Sequence, residues 1–204
     1  MSKPAWFLSG IVFLAVVLAA GGAMFAKRSN GFSALAKPSA METMVARRAH
    51  SMSIPASAKD RPNPVPDSLE VLAEARAHWA DHCATCHANN GSGNTAMGKH
   101  MYPPAPNMRL GGTQDMTDGE LFFIIENGVR FTGMPGWGGS GHDEASATWK
   151  LVHFIRHLPK VTAEEESTME KMNPKSPDDL KEEQEEQEFL NGGQIHEHTP
   201  HDHH

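Results

Sequence analysis

The pentapeptide Cys-Ala-Thr-Cys-His at residues 83–87 constrains this chain more than any other feature. Cys83 and Cys86 are the only two cysteines among 204 residues, so one motif uses every thiol. This spacing is typical of covalent attachment of c-type haem. The two thiols form thioethers with the haem vinyl groups, and His87 then lies under the iron as the proximal ligand. The motif therefore predicts a fold built around one covalent haem c.

Three other uses of two neighbouring cysteines fit the sequence less well. A thioredoxin-like redox motif needs a surrounding βαβ pattern, which the sequence does not have. A zinc site needs a second pair of ligands, and there is no third cysteine. A disulfide across only two intervening residues is strained.

The sixth position on the iron needs a second ligand, and Met134 is the favoured candidate. It lies in the loop Gly-Met-Pro-Gly-Trp at residues 133–137, whose glycines and prolines restrict the backbone. A methionine sulfur favours ferrous iron and raises the reduction potential. His100 would instead give a bis-histidine site, and an empty position would indicate gas binding or peroxide chemistry. Further methionines follow the haem motif, at Met97, Met101, Met108 and Met116.

Residues 1–26 predict a transmembrane anchor. No charged residue occurs between Pro4 and Ala26, and this length is enough to cross a hydrocarbon core of about 30 Å. A cleaved signal peptide, with residues 34–36 as a small-residue site, is the alternative. Lys27 and Arg28 follow the span and would favour a cytoplasmic carboxyl side. Covalent haem attachment takes place outside the cytoplasmic membrane, and this outweighs the charge distribution. The haem domain is therefore expected in the periplasm.

Three regions follow the anchor. Residues 27–66 predict a proline-containing linker, which would reach on the order of 100 Å if it were extended throughout. Residues 67–160 have helical periodicity and predict an all-α haem domain. Its first helix would be capped by Asp67 with Glu70, its second would run from Thr117 to Gly128, and its third would cover about residues 144–158.

Residues 161–204 predict an acidic tail, mostly disordered or loosely helical, with thirteen acidic residues against three lysines. Ser176 and Pro177 could begin a helix there. The last nine residues contain five histidines among acidic residues, a composition that binds copper, nickel or zinc. An interrupted purification tag is the competing explanation for these histidines: His196, His198, His201, His203 and His204.

The domain resembles a class I cytochrome c, in the bacterial membrane-anchored mono-haem form. The resemblance covers about residues 67–160 and depends on the haem motif, on residues 120–130, on the Met134 loop and on the closing helix at 149–156. It implies that Ala75 or Trp79 packs against Leu151, Phe154 or Ile155 where the first and last helices cross. It also implies that a proline carbonyl from the 102–107 loop binds the second nitrogen of His87. The usual ring of lysines around the haem edge is not evident, because the domain is mildly acidic and has few lysines.

The sequence thus predicts a single-electron carrier on the cytoplasmic membrane, single-pass, and not itself an enzyme. Its expected partners are a dehydrogenase or quinol-oxidising complex as donor and an oxidase or other acceptor; no nucleic-acid partner is expected. Two alternatives stay open. One is a copper-handling protein that uses the histidine-rich tail, and the other is a haem sensor or enzyme with a labile sixth ligand. The sequence leaves the donor, the acceptor and the oligomeric state open.

Overall fold

The protein is described by a computed structural model that covers residues 3–28, 33–139 and 142–190. Within these ranges every regular element is helical, which confirms the all-α prediction. The α-helices are α1 (Lys3–Arg28), α2 (Ala40–Ser53), α3 (Ala56–Lys59), α4 (Leu69–His78), α5 (Ala84–His87), α6 (Ala96–Lys99), α7 (Gly111–Gln114), α8 (Asp118–Asn127), α9 (His142–His157), α10 (Ala163–Glu170) and α11 (Pro177–Leu190). A π-helical turn, Trp79–Cys83, joins α4 to α5, and a 3₁₀ turn, Leu158–Lys160, follows α9.

The core of the domain forms where α4 crosses α9. Ala75 and Trp79 are buried on one side, and Phe154 is fully buried on the other. The rings of Trp79 and Phe154 have centroids 5.5 Å apart. Because alanine has a small side chain, the two helices can approach closely at this point. The predicted contact between the first and last helices of the domain is confirmed.

The helix boundaries follow capping chemistry. Thr117 and Glu120 cap the start of α8 reciprocally, and Gly128 ends the helix with a φ of 65°, as predicted. The prediction for α4 was wrong by one residue. Ser68, not Asp67, is the N-cap, because its hydroxyl accepts the Val71 N–H at 3.2 Å. A serine hydroxyl and an aspartate carboxylate are about equally good at this position, so composition does not separate them.

Residues 54–66, here called the strap, pack against α8 and α9. Ile54 and Ala58 are buried. Asn63 donates from its side-chain amide to the Trp149 carbonyl at 3.0 Å. A ring nitrogen of His153 lies 2.8 Å from the Val65 carbonyl oxygen. The packed region therefore begins near residue 54, and the predicted linker boundary at residue 66 does not coincide with the edge of the fold.

The strap also makes a cation–π contact. The Arg61 guanidinium lies 4.7 Å from the ring centroid of Phe122 and 5.3 Å from that of Trp149. These two rings are stacked with centroids 4.1 Å apart. A guanidinium over two stacked rings is a specific attachment of the strap to both helices.

The beginning of the predicted tail is also part of the fold. Met169 on α10 is fully buried, because it inserts into the core from the outside. Glu165 lies 3.2 Å from Arg76 and 3.0 Å from His157, which ties α10 to both α4 and α9. The domain therefore extends beyond residue 160, since the acidic segment places one apolar residue where it can be buried.

The two outer helices, α1 and α11, are exposed throughout their described side chains. Ser176 caps α11 by accepting the Asp179 N–H at 3.1 Å, as predicted. From Trp6 to Arg28, α1 is long and apolar enough to cross a membrane. A signal sequence near the amino terminus would meet the same criterion of length and composition.

Candidate functional site

One cavity lies between α4, α5, α9 and the loop that follows α8. Its empty volume is about 380 Å³, part of it open to solvent. The lining is mostly apolar and aromatic, with a few nitrogen and sulfur atoms that could bind a metal, as is usual for a cofactor site. Ten described residues line it: His78, Trp79, Cys83, His87, Met108, Ile125, Met134, Trp137, Leu151 and Ile155.

His87, at the end of α5, contributes an imidazole to the cavity. Its ring centroid lies 5.7 Å from that of Trp79, whose indole N–H donates to the Ala88 carbonyl at 3.0 Å. Burial lowers the pKa of His87 from its usual value. The ring is therefore neutral at physiological pH and keeps a lone pair free for a metal ion.

The Nδ1 atom of His87 is buried and has no hydrogen-bond partner. The predicted hydrogen bond, in which this nitrogen would donate to a proline carbonyl in the 102–107 loop, is therefore not made. The backbone of that loop is instead held against the turn after α5. It is also held against α6, where the Gly98 carbonyl accepts the Ala105 N–H at 2.9 Å. At Gly93, which has a φ of 70°, a side chain would overlap the Ala105 carbonyl oxygen.

The two cysteines occupy different positions relative to the cavity. Cys83 lines it, whereas Cys86 lies on the adjacent turn and is only partly buried. Burial, with a smaller contribution from Cys86, raises the pKa of the Cys83 thiol to about 12. Burial also raises the pKa of Cys86. Both free thiols are therefore protonated at neutral pH.

Met134 reaches the cavity from the loop after α8. The loop closes on itself, because the Val129 N–H donates to the Met134 carbonyl at 3.1 Å and the Met134 N–H donates to the Thr132 hydroxyl at 3.1 Å. This loop packs directly against Gly128, where only a glycine leaves enough room. A Cβ at Gly128 would lie 2.5 Å from the Gly136 nitrogen and 2.7 Å from the Met134 carbonyl oxygen.

The other predicted candidates for the sixth ligand differ in whether they line the cavity. His100 is exposed and does not line the cavity, and Met97 is 53 % exposed. Met101 and Met116 are not among the lining residues either. Met108 does line the cavity. Its carbonyl accepts the Gln114 side-chain amide at 2.7 Å, and the same amide nitrogen donates to the Ile155 carbonyl at 2.9 Å.

Two residues of the cavity wall, His78 and Trp137, were not predicted from the sequence. The ring of His82 links them, with centroids 4.8 Å from His78 and 5.6 Å from Trp137, both in edge-to-face geometry. Burial, and then His82, lowers the pKa of His78, while Asp81 opposes the shift. Both residues lie close in sequence to predicted site residues, since His78 precedes Cys83 by five positions and Trp137 follows Met134 by three. That proximity is the only sequence signal that could have identified them.

The residues present fit a haem. The cavity brings together an apolar wall, the half-buried neutral imidazole of His87 and the side chain of Met134. An imidazole and a thioether are the protein ligands used in many c-type sites. Cys83 supplies one of the two predicted thioether positions at the wall itself, and Cys86 lies on the next turn.

The five histidines predicted to bind a divalent metal, at positions 196–204, lie outside the described residues. Across residues 3–28, 33–139 and 142–190, no group of three or more His, Cys, Asp or Glu side chains is arranged to hold a metal ion. The tail histidines therefore stay a prediction.

Comparison with known proteins supports the interpretation of the cavity as a haem site. Residues 70–155 match the family model described as cytochrome C oxidase, cbb3-type, subunit III. No curated protein matches the chain. The matched residues include the haem motif, the Met134 loop and most of α9. They form a cytochrome c domain, and such a domain implies a haem cofactor.

Proposed function

We propose, from the premise that residues 70–155 are a class I cytochrome c domain, that this protein carries single electrons between membrane redox partners. The observation that carries the proposal is the cavity itself, where His87 and Met134 come from distant parts of the sequence to one apolar site. A bound haem would supply reversible one-electron chemistry. The protein's residues would attach it, ligate it and exclude water from it.

Four residues take defined roles in this proposal. Cys83 and Cys86 form the two thioethers, and His87 is the proximal ligand. Met134 is the distal ligand, because it lines the cavity while His100 is exposed outside it. Met108 also lines the cavity, but we assign it to the wall, since its backbone is held by Gln114 and by the Gly91 carbonyl, which accepts the Met108 N–H at 2.8 Å.

We place the domain in the periplasm, anchored by α1 in the cytoplasmic membrane. The exposed apolar surface of α1 supports an anchor. Covalent haem attachment outside the cytoplasmic membrane supports the orientation. We expect a dehydrogenase or quinol-oxidising complex as the electron donor and an oxidase or other acceptor.

The matched family description names an oxidase subunit, which favours a second possibility. In it, the chain is a fixed subunit of an oxidase complex rather than a free carrier. In both cases the chain transfers electrons, and the catalytic step on oxygen would belong to another subunit. Purification of the native membrane complex in mild detergent distinguishes them. Co-purification at constant stoichiometry would indicate a subunit, and recovery as a separate protein would indicate a carrier.

The ligand assignment is tested by optical redox titration of the holoprotein matured in a haem-attaching host. In Met134→Ala we expect the sulfur-to-iron charge-transfer band to disappear and the reduction potential to fall, because the soft sulfur ligand is lost. Met108→Ala is the matched control, since it removes a second cavity-lining thioether and should keep the band. A spectrum unchanged in Met134→Ala, or a band lost in Met108→Ala, would refute the assignment.

A further inference from the structure

One aromatic side chain of the cavity wall is exposed to solvent. Of the ten described residues that line it, Trp137 alone is exposed, with 41 % of its surface accessible. The other nine are buried or half-buried. Trp137 therefore has one part of its surface in the cavity and another part in water.

The backbone of Trp137 is held in place on both sides. Its own N–H donates to the Ile125 carbonyl at 2.9 Å, and the Gly138 N–H donates to the Glu126 carbonyl at 2.9 Å. Both bonds attach the loop to the end of α8. The position of the indole is thus set by a rigid element and not by the loop alone.

The indole is also supported from the side but is not covered. The His82 ring meets it edge-on at 5.6 Å, and the Nδ1 atom of His82 lies 3.1 Å from a carboxylate oxygen of Asp81. The neighbours in sequence, residues 135–139, are Pro-Gly-Trp-Gly-Gly and carry no charge. Small flanking residues leave the outer edge of the ring accessible to a partner.

We propose that Trp137 is the residue through which electrons enter and leave the haem cavity. This inference rests on the proposed electron-carrier function. A redox partner would contact the exposed indole of Trp137. With haem bound, the partner would gain one electron and the iron would be oxidised from ferrous to ferric, with no bond formed or broken.

A charge placed at position 137 tests the inference. The ferrous holoprotein is oxidised in stopped-flow experiments by ferricyanide, a trivalent anion that becomes ferrocyanide. Separately, it is oxidised by tris(phenanthroline)cobalt(III), a trivalent cation that becomes cobalt(II). In 0.1 M salt, one added charge about 6 Å from such a probe changes the rate of oxidation by roughly fivefold. At about 20 Å the change falls below roughly 1.5-fold.

The expected result is a reversal of sign between the two probes. Trp137→Glu should slow oxidation by ferricyanide about fivefold and accelerate oxidation by the cobalt complex by a similar factor. Trp137→Lys should do the opposite. A changed reduction potential would shift both rates in the same direction. Opposite shifts therefore show that the charge at position 137 lies close to the site where the probes exchange electrons. The potential of each variant is titrated in parallel as the second measurement.

The matched control is Leu69→Glu. Leu69 is 87 % exposed at the first position of α4, and it precedes His82 by thirteen residues, about 20 Å along the helix axis. A carboxylate is favourable at a helix N-terminus, so this variant should fold normally. We expect both oxidation rates to change by less than about 1.5-fold.

Two outcomes would overturn the inference. One is equal rates in wild-type protein, Trp137→Glu and Trp137→Lys, which would place the exchange site elsewhere on the surface. The other is a response at Leu69 as large as that at Trp137. Failure of the electron-carrier function itself looks different, because the wild-type ferrous holoprotein would then bind carbon monoxide readily through a labile sixth ligand, whatever the response at position 137.

Discussion

The strap can be tested at Gly119, where it lies against the second residue of α8. A Cβ at this position would overlap the Ala58 carbonyl oxygen and would lie 3.0 Å from the Arg61 carbonyl oxygen. Both neighbours are backbone atoms of the strap, so a simple rotamer change cannot relieve the overlap. Gly119→Ala therefore requires the strap to move away from α8.

The cost follows from that displacement. Ordinary van der Waals contact begins near 3.4 Å, so the Ala58 carbonyl would move by more than about 1 Å. Such a shift would break the hydrogen bond that the Thr117 hydroxyl donates to the Lys59 carbonyl at 2.7 Å. Overpacking of this kind costs about 1 to 3 kcal/mol. For a domain of this size that lowers the melting temperature by roughly 4 to 12 °C.

Gly112→Ala is the matched control for Gly119→Ala. Gly112 is also the second residue of a helix, α7, and a Cβ there would meet nothing within 4 Å. Alanine should raise the free energy of unfolding slightly at this position, by up to about 1 kcal/mol. Both variants share the same change in helix propensity, so the difference between them reports the strap.

Thermal unfolding of the holoprotein and limited trypsin digestion make the measurement. Released strap should be cut after Lys59, whereas the bond after Arg61 resists trypsin because Pro62 follows it. We expect Gly119→Ala to be cut after Lys59 faster than wild-type protein. If Gly119→Ala is as stable as Gly112→Ala and resists trypsin equally, then the strap does not pack as described and the reasoning fails.

Two further predictions concern α10 and the Met134 loop. Burial alone would raise the pKa of Glu165, but the Thr162 amide, His157 and Arg76 lower it below the ordinary value of 4.5. A lowered carboxylate pKa stabilises the fold above the ordinary value and loses that effect on acidification. Glu165→Gln should flatten the loss of stability below about pH 4.5, and the exposed neighbour substitution Glu164→Gln should not. Gly128→Ala should cost about 1 to 3 kcal/mol and speed cyanide binding to the ferric holoprotein, because it displaces the loop that carries Met134. Equal acid profiles for the two glutamine variants, or unchanged cyanide binding in Gly128→Ala, would contradict these expectations.

The parts of the fold that were predictable are those with local chemistry. Thr117 with Glu120, and Gly128 at the far end, mark the limits of α8, because capping depends on residues three or four positions apart. The Trp79 and Phe154 contact was available only through the family resemblance. Met134 was favoured from its glycine and proline neighbours and does line the cavity, although its ligation to iron stays a prediction.

The strap and α10 were not predictable, because each depends on long-range packing. The proline-rich residues 62–66 have the composition of an extended linker. What holds the strap is the pair of stacked rings beneath Arg61 and the missing side chain at Gly119, which lie far away in sequence. In α10 the acidic composition indicates a solvated segment, and a single methionine, Met169, reverses that expectation.

The strap also changes how far the haem domain can extend from the membrane. With α1 as the proposed anchor, only residues 29–39 and α2 separate it from Ile54, where packing begins. Eleven residues span at most about 40 Å, and the fourteen residues of α2 add about 21 Å. The upper limit is therefore about 60 Å rather than the 100 Å of a fully extended linker. The Tyr102 hydroxyl shortens this reach further, because it donates to Glu42 on α2 at 3.1 Å. A domain held this close has a high effective concentration near the membrane surface, which favours membrane-bound donors and acceptors over freely diffusing ones.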